Sequence, residues 1–202
     1  CITSPGKFVA IGLNYSDHAA EVGAEIPKEP IMFMKATSSI CGPNDDIEIV
    51  SGSKKLDWEV ELGIVIGKET KHISEDHSQD HILGYCLVND ISEREWQIEK
   101  MGQWVKGKSH DTYGPTGPYL VTKDEIKDIN NLKMILDVNG ERMQTGNTTT
   151  MIFNVDFILS YLSKFMSLQA GDIITTVTPP GVGMVKKPQK FLKAGDNMKL
   201  SL

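Results

Sequence analysis

A chain of 202 residues is long enough to bury a sizeable core without covalent staples, so one globular unit spanning 1–202 is the expectation. The formal charge of −6 argues against a nucleic-acid footprint or an anionic membrane surface, since either needs clustered surplus Lys and Arg. Cys1, Cys41 and Cys86 are odd in number and lack metal or disulfide spacing, no apolar run approaches the ~20 residues of a membrane span, and no charged-then-apolar leader opens the chain; a cytoplasmic setting is expected. Because residue 1 is Cys rather than Met, the start is not read as a biological terminus.

In chain order, "FVAIGLNY" (8–15) reads as a buried strand, and "SDHAAEVG" as one to two helical turns capped by Ser16 and stopped at Gly23. "IMFMKATSSI" and "DDIEIV" are short strand candidates. "ELGIVIG" is an apolar run bounded by glycine, the pattern of a strand covered on both faces; "ILGYCLVND", after a polar loop at 68–80, is another, ending at Asn89-Asp90. Ser92 and Glu95 have capping-box spacing and predict a helix from about 92 to 101, and "TKDE" (122–125) repeats the signal. "LKMILDVNGERMQ" is a hairpin, because Asn139-Gly140 supplies the positive φ angles of a type I′ turn. "FILSYLSKF" sets Phe157, Tyr161 and Phe165, with Ile158 and Leu162, on one helical face, which core packing explains. "LQAGDIITTV" and "LKAGDNMKLSL" share a Leu-x-Ala-Gly-Asp turn and read as feeding adjacent strands. The fold class implied is mainly β with short helices, α+β.

On a strand, residues two apart point the same way, so Glu59 and Glu61 in "LDWEVELGIVIG" project together, their Cβ atoms roughly 6–7 Å apart. Buried and unpaired they would be costly, so a cation between them or a proton on one is required; for the pair alone, a solvated strand end is the plainer reading. Asp90, closing another apolar strand, shifts that balance. Three convergent carboxylates without Cys or His suit Mg²⁺ or Mn²⁺, with Ca²⁺ as a third option, and leave positions open for water or a chelating substrate. His18 and Glu21, at i and i+3, are spaced for the carboxylate to hold an imidazole able to act as a general base; a chance surface pair is the alternative. Lys35 follows "IMFM"; Arg94, four residues after Asp90, is within reach of a substrate anion and shares a face with Gln97. Lys108, between Gly107 and Ser109, is read as a site residue and Lys106 as solvated. Thr178 in "TTVTPPGVG" either faces an anion or belongs to an ordinary tight turn. His77 and His81 lie in a polar loop and are not read as a zinc site, and no phosphate loop, dinucleotide fingerprint or serine elbow occurs.

"GLNYSDHAAE", "DWEVELGIVIG", "GYCLVND" then "SEREWQ", "KGKSHDTYGPTGPYLVT", "VNGERMQTGNTTTMIF" and "GDIITTVTPPGVG" stand in the order found in the fumarylacetoacetate hydrolase family, which the chain resembles over nearly its whole length. The likeness runs toward bacterial members acting on 2,4-diketo-3-deoxy sugar acids, which often carry the name ureidoglycolate lyase or fumarylacetoacetase-like hydrolase. The resemblance implies a mixed β-sandwich or β-roll catalytic domain, usually a homodimer, holding Mg²⁺ or Mn²⁺ on Glu59, Glu61 and Asp90. It implies that His18 with Glu21 activates water on a lid-like segment, that Lys108 neutralises developing oxyanion charge, and that Lys35, Arg94, Gln97 and Thr178 line the substrate site. The implied reaction is carbon–carbon bond hydrolysis of a 2,4-diketo acid, an acylpyruvate or diketo-deoxy sugar acid, to a 2-oxo acid and a carboxylic acid. Decarboxylation, isomerisation or hydration of a 2-oxo acid at the same site is the alternative, and a non-catalytic metal-binding protein is a second from another class. Two departures stand out. Val177 occupies a position where the family generally has glycine, and the segment that many relatives carry before "GLNY" is not present in this sequence. If that glycine adopts a backbone closed to β-branched residues, the turn must be altered.

Overall fold

The computed structural model describes Ile2 and residues 4–202; Cys1 therefore lies outside the described residues. In chain order the strands are β1 (Phe8–Gly12), β2 (Ile31–Lys35), β3 (Ile40–Cys41), β4 (Leu56–Asp57), β5 (Val60–Ile66), β6 (Ile82–Asn89), β7 (Ser92–Glu93), β8 (Gly114–Pro115), β9 (Val121–Thr122), β10 (Lys133–Val138), β11 (Glu141–Asn147), β12 (Ile173–Thr175) and β13 (Met198–Ser201). The α-helices are α1 (Ser16–Val22), α2 (Val105–Lys108) and α3 (Val155–Leu162). The class is mainly β with a few short helices, as expected.

Six strands form a mixed sheet in the order β2-β1-β12-β5-β6-β9, in which only β1 and β12 run parallel. A second, antiparallel sheet has the order β11-β10-β13. The two share one core with α3: Leu62 and Ile64 of β5, Met134 and Leu136 of β10, and Ile158 and Leu159 of α3 belong to the same buried cluster. All seven residues of β5 are buried, because strands flank it on both sides and side chains cover both faces; this is why its sequence does not alternate. The β10–β11 hairpin turns at Asn139 (φ 52°) and Gly140 (φ 80°), as the type I′ signature requires.

Local signals failed where longer-range partners took over. The predicted helix over 92–101 is instead the strand β7, paired with β4, followed by a π-helical turn over Glu95–Glu99. Ser92 Oγ donates to the Asp90 carbonyl and the Glu95 amide donates to the Glu93 carboxylate, so no capping box forms. "DDIEIV" is irregular, and the polar loop contains a 3₁₀ helix over Glu75–His81. Ser16 does not cap α1; its hydroxyl donates to the Thr150 carbonyl, while Gly23 (φ 67°) does end the helix. The two Leu-x-Ala-Gly-Asp turns feed β12 and β13, which lie in different sheets. On α3, Ile158, Leu159 and Leu162 face the core, whereas Phe157 stacks on Tyr161 along the flank and Tyr161 meets the exposed Phe165 edge to face.

Candidate metal centre and active site

Glu59 and Glu61 flank Val60, the first residue of β5, and their carboxylates come together there. Asp90 arrives beside them because β6 pairs antiparallel with β5, with Val60 opposite Asn89. The Asp90 amide donates to the Glu59 carbonyl at 2.9 Å, and the Asn89 side chain accepts from the Glu59 amide at 3.1 Å. One oxygen from each of the three buried carboxylates lies within 4.8 Å of the others.

Their electrostatic surroundings differ. Lys108 Nζ donates to Glu59 at 2.7 Å and to Asp90 at 2.6 Å. Gly107 makes this possible: a Cβ there would sit 2.4 Å from the Glu93 carbonyl oxygen, so only glycine lets α2 pack closely enough to deliver Lys108. Lys35 Nζ donates to Asp90 at 2.5 Å and to the backbone carbonyl of Lys108. Arg94 Nε donates to Asp57 at 2.8 Å and Nη1 to Gln97 at 2.9 Å. Its Nη2 lies 2.6 Å from Glu59, an ion contact in which the N–H is not aimed along the bond.

Burial opposes ionisation of Glu59, but Lys108 and Arg94 outweigh it and hold the carboxyl well below the usual glutamate range. For Glu61, burial and then the charges of Asp90 and Glu59 push the other way, well above that range. Its carboxylate has no cation bonded to it among the described residues and accepts from the Val177 amide at 3.2 Å. Burial lowers the Lys35 pKa despite Asp90; for Lys108, burial is overcome by Asp90 and Glu59, which raise it.

The edge of β5 opposite β6 is unusual. β12 accompanies β5 only to Thr175, opposite Gly63, and the Thr176 amide still reaches the Leu62 carbonyl at 3.1 Å. Val177 then takes φ 76° and turns the chain away. Beyond it, side chains replace the strand: Gln144 Oε1 accepts from the Val60 amide at 3.0 Å, and the Thr178 hydroxyl donates to the Val60 carbonyl at 3.0 Å. With Gln144 Nε2 donating to it at 2.7 Å, that hydroxyl has no proton left to offer a substrate.

His18 Nδ1 meets Glu21 at 3.1 Å on α1. Glu21 also accepts from the Gly181 amide at 3.0 Å, which docks α1 onto the Pro-Pro-Gly turn. Gly181 (φ 107°) has no substitute, since a Cβ would lie 2.1 Å from the Met143 carbonyl oxygen. The structure thus gathers Glu59, Glu61, Asp90, Lys35, Lys108, Arg94 and Gln97 into one network; Thr178 supports it through Val60, and His18 joins by way of Glu21 and the turn. His77 and His81 bond Ser74 and Thr70 instead.

Sequence reasoning missed two participants. Asp57 accepts from Arg94 and from the amides of Gly183 at 2.6 Å and Met184 at 3.0 Å, tying Arg94 to the far side of the turn. The signal for it was its place two residues before Glu59. Gln144 carries no such signature.

The centre offers only oxygen donors, and Glu61 is a buried carboxylate short of positive charge. These residues fit a hard divalent cation.

The model of the fumarylacetoacetate (FAA) hydrolase C-terminal domain matches residues 7–202. The chain belongs to this family. It is 58% identical over 203 residues to a candidate hydrolase of Burkholderia cenocepacia (strain HI2424), covering all of this chain and 72% of that one. Fumarylacetoacetate hydrolase from the psychrophile Exiguobacterium antarcticum superposes with a TM-score of 0.90 at 38% identity, over 98% of this chain and 71% of that chain. 5-Carboxymethyl-2-hydroxymuconate delta-isomerase from Mycobacterium smegmatis does so with a TM-score of 0.86 at 34% identity, over 99% and 75%. The family is one of enzymes, and hydrolase and isomerase both occur among these relatives.

Proposed function

We propose that the protein is a divalent-cation-dependent hydrolase that splits a carbon–carbon bond of a 2,4-diketo acid, an acylpyruvate or a diketo-deoxy sugar acid, into a 2-oxo acid and a carboxylic acid. The observation that carries this reading is one continuous connection. Glu21 holds His18 and the Gly181 amide, and Gly181 lies four residues beyond Val177, whose amide holds Glu61.

Bound on Glu59, Glu61 and Asp90, Mg²⁺ or Mn²⁺ supplies Lewis acidity toward the 2-oxo carboxylate end. With the His18 Nδ1 proton directed at Glu21, Nε2 is free to take a proton from water. The hydroxide adds to the distal carbonyl, and collapse breaks the bond between that carbon and the methylene. The electron pair passes to the enolate of the 2-oxo acid, the Lys108 ammonium offsets its charge, and the proton on His18 returns to the methylene carbon. Lys35 and Arg94 keep Asp90 and Glu59 in place.

An isomerase or decarboxylase is the second reading, favoured by the isomerase among the structural relatives, because enolisation needs the cation and Lys108 but no attacking water. The test is to incubate the protein and Mg²⁺ with acylpyruvates, 2,4-diketo sugar acids and oxaloacetate and identify products by mass spectrometry. Pyruvate plus a second carboxylic acid is expected; CO₂ or a product of unchanged mass supports the second reading, and no turnover leaves a non-catalytic metal-binding protein. His18→Ala is expected to abolish hydrolysis while Mn²⁺ still binds. A cytoplasmic homodimer completes the proposal; the dimer is supported by the apolar edge strand β2, whose Ile31, Met32 and Met34 are exposed. A monomer mass by light scattering at micromolar concentration would overturn the dimer.

A further inference from the structure

We propose that Gln144 is a positioning residue of the carboxylate centre: from the second sheet it stands in for the β partner that Val60 lacks, and so fixes the segment carrying Glu59 and Glu61. This role rests on the metal-centre reading above.

Val60 lies between the two glutamates and is fully buried. On one side β5 is held by β6. On the other, β12 has departed at Val177, which would leave the Val60 N–H and C=O without partners in the interior, a state that folded chains avoid. Gln144, itself without solvent exposure, supplies both. Its Oε1 accepts from the Val60 amide at 3.0 Å. Its Nε2 donates to Thr178 Oγ1 at 2.7 Å and to the Pro179 carbonyl at 2.8 Å. Because Thr178 Oγ1 receives that proton, its own is directed to the Val60 carbonyl at 3.0 Å. One amide side chain thereby completes both backbone groups of Val60, one directly and one through Thr178.

The geometry leaves little freedom. Reversing the amide would set N–H against the Val60 N–H and oxygen against the Pro179 carbonyl, so a single orientation is satisfied. The consequence reaches the centre because strand side chains alternate: any rotation of the backbone at Val60 moves Glu59 and Glu61 together off their shared face. Gln144 makes no bond to a carboxylate of the centre, so its effect passes through Val60 and Thr178. A purely structural staple between the sheets would lower melting temperature without altering the cation site. Groups hydrogen-bonded directly to metal ligands typically change metal affinity by about 10–100-fold, and Gln144, one bond further out, is expected at the lower end of that range.

The experiment measures Mn²⁺ affinity of the full chain, by calorimetry and by the electron paramagnetic resonance of free Mn²⁺, for wild type, Glu61→Ala and Gln144→Leu. Wild type is expected to bind and Glu61→Ala not to. Gln144→Leu is expected to bind about tenfold or more weakly, with wild-type circular dichroism and faster amide exchange at Val60. Affinity within about twofold of wild type, whatever the melting temperature, would overturn the role of Gln144 and leave the metal centre standing. If Gln144→Leu does not fold, Thr178→Val breaks the same relay at constant volume; weaker Mn²⁺ binding, restored by Thr178→Ser, supports the role, and unchanged binding overturns it. Wild type that does not bind Mn²⁺ overturns the metal centre and this role together.

Discussion

Glu59 and Asp90 each lie against two cationic side chains, whereas Glu61, likewise buried, accepts from the Val177 amide and has no cationic partner among the described residues. The fold thus holds one carboxylate whose charge is unanswered until a cation arrives. Glu61→Gln removes that charge while keeping an oxygen to accept from Val177. It is expected to raise the stability of the metal-free protein at pH 8 by on the order of 1 kcal/mol, or about 2–4 °C, and to abolish any rise in melting temperature on adding Mg²⁺. Differential scanning calorimetry decides this: a lower melting point in the metal-free variant means Glu61 is already balanced. At this scale the sequence was informative where chemistry and spacing coincide. Two glutamates at i and i+2, an aspartate closing an apolar run, and a lysine between glycine and serine were all readable. Gln144 was not, because its importance lies in which strand edge it faces, and that depends on β12 leaving β5 at Val177, a contact between segments far apart in the chain.

Among elements, the departure of β12 from β5 is the feature that opens the site, and Val177 makes it with a backbone conformation that L-residues avoid. A left-handed β-branched residue costs about 1–2 kcal/mol, and here the Glu61 contact on one side and the Thr178–Gln144 relay on the other enforce it. Glycine would relieve that strain but forfeit the burial of the isopropyl group and add unfolded-state entropy, so Val177→Gly is expected to cost only about 1–2 kcal/mol. Val65→Gly, in the fully buried strand β5 and without a positive φ, has no such strain to release and is expected to cost at least about 1 kcal/mol more. Urea denaturation of both variants makes the comparison, and equal costs would show that Val177 is not strained. The expectation of an altered turn at this position was legible, but the backbone angle was not. The same limit explains the missed β7: Ser92 and Glu95 carry a sound helix-start signal, yet pairing with Leu56–Asp57 and the bonds to Asp90 and Glu93 use the groups that a cap would need.

At the scale of the molecule, periodicity identified individual strands but not their order. β12 enters between β1 and β5 from more than a hundred residues downstream, and similar turns send β12 and β13 into different sheets. That arrangement buries the centre, and burial couples its ionisation to folding. For Glu61 the folded pKa lies above the unfolded value of about 4.3, so its contribution to stability is fully present below that value and is lost as pH rises through the folded pKa. Glu59 is opposite: its folded pKa is depressed, so its contribution is present above about pH 4.3 and is lost only as pH falls through the folded value in strong acid. Above about pH 5 the pair therefore makes the metal-free protein less stable with increasing pH, through Glu61. A divalent cation competes with that proton, so its stabilisation grows in the same direction. At a hundred times its dissociation constant it is worth about 2.7 kcal/mol, or about 5–10 °C in a chain of this size. Melting curves from pH 5.5 to 8.5 in EDTA and in Mg²⁺ are expected to diverge as pH rises, and in Glu61→Gln to coincide throughout. Wild-type curves that stay parallel across the range would mean that Glu61 does not exchange a proton for the cation.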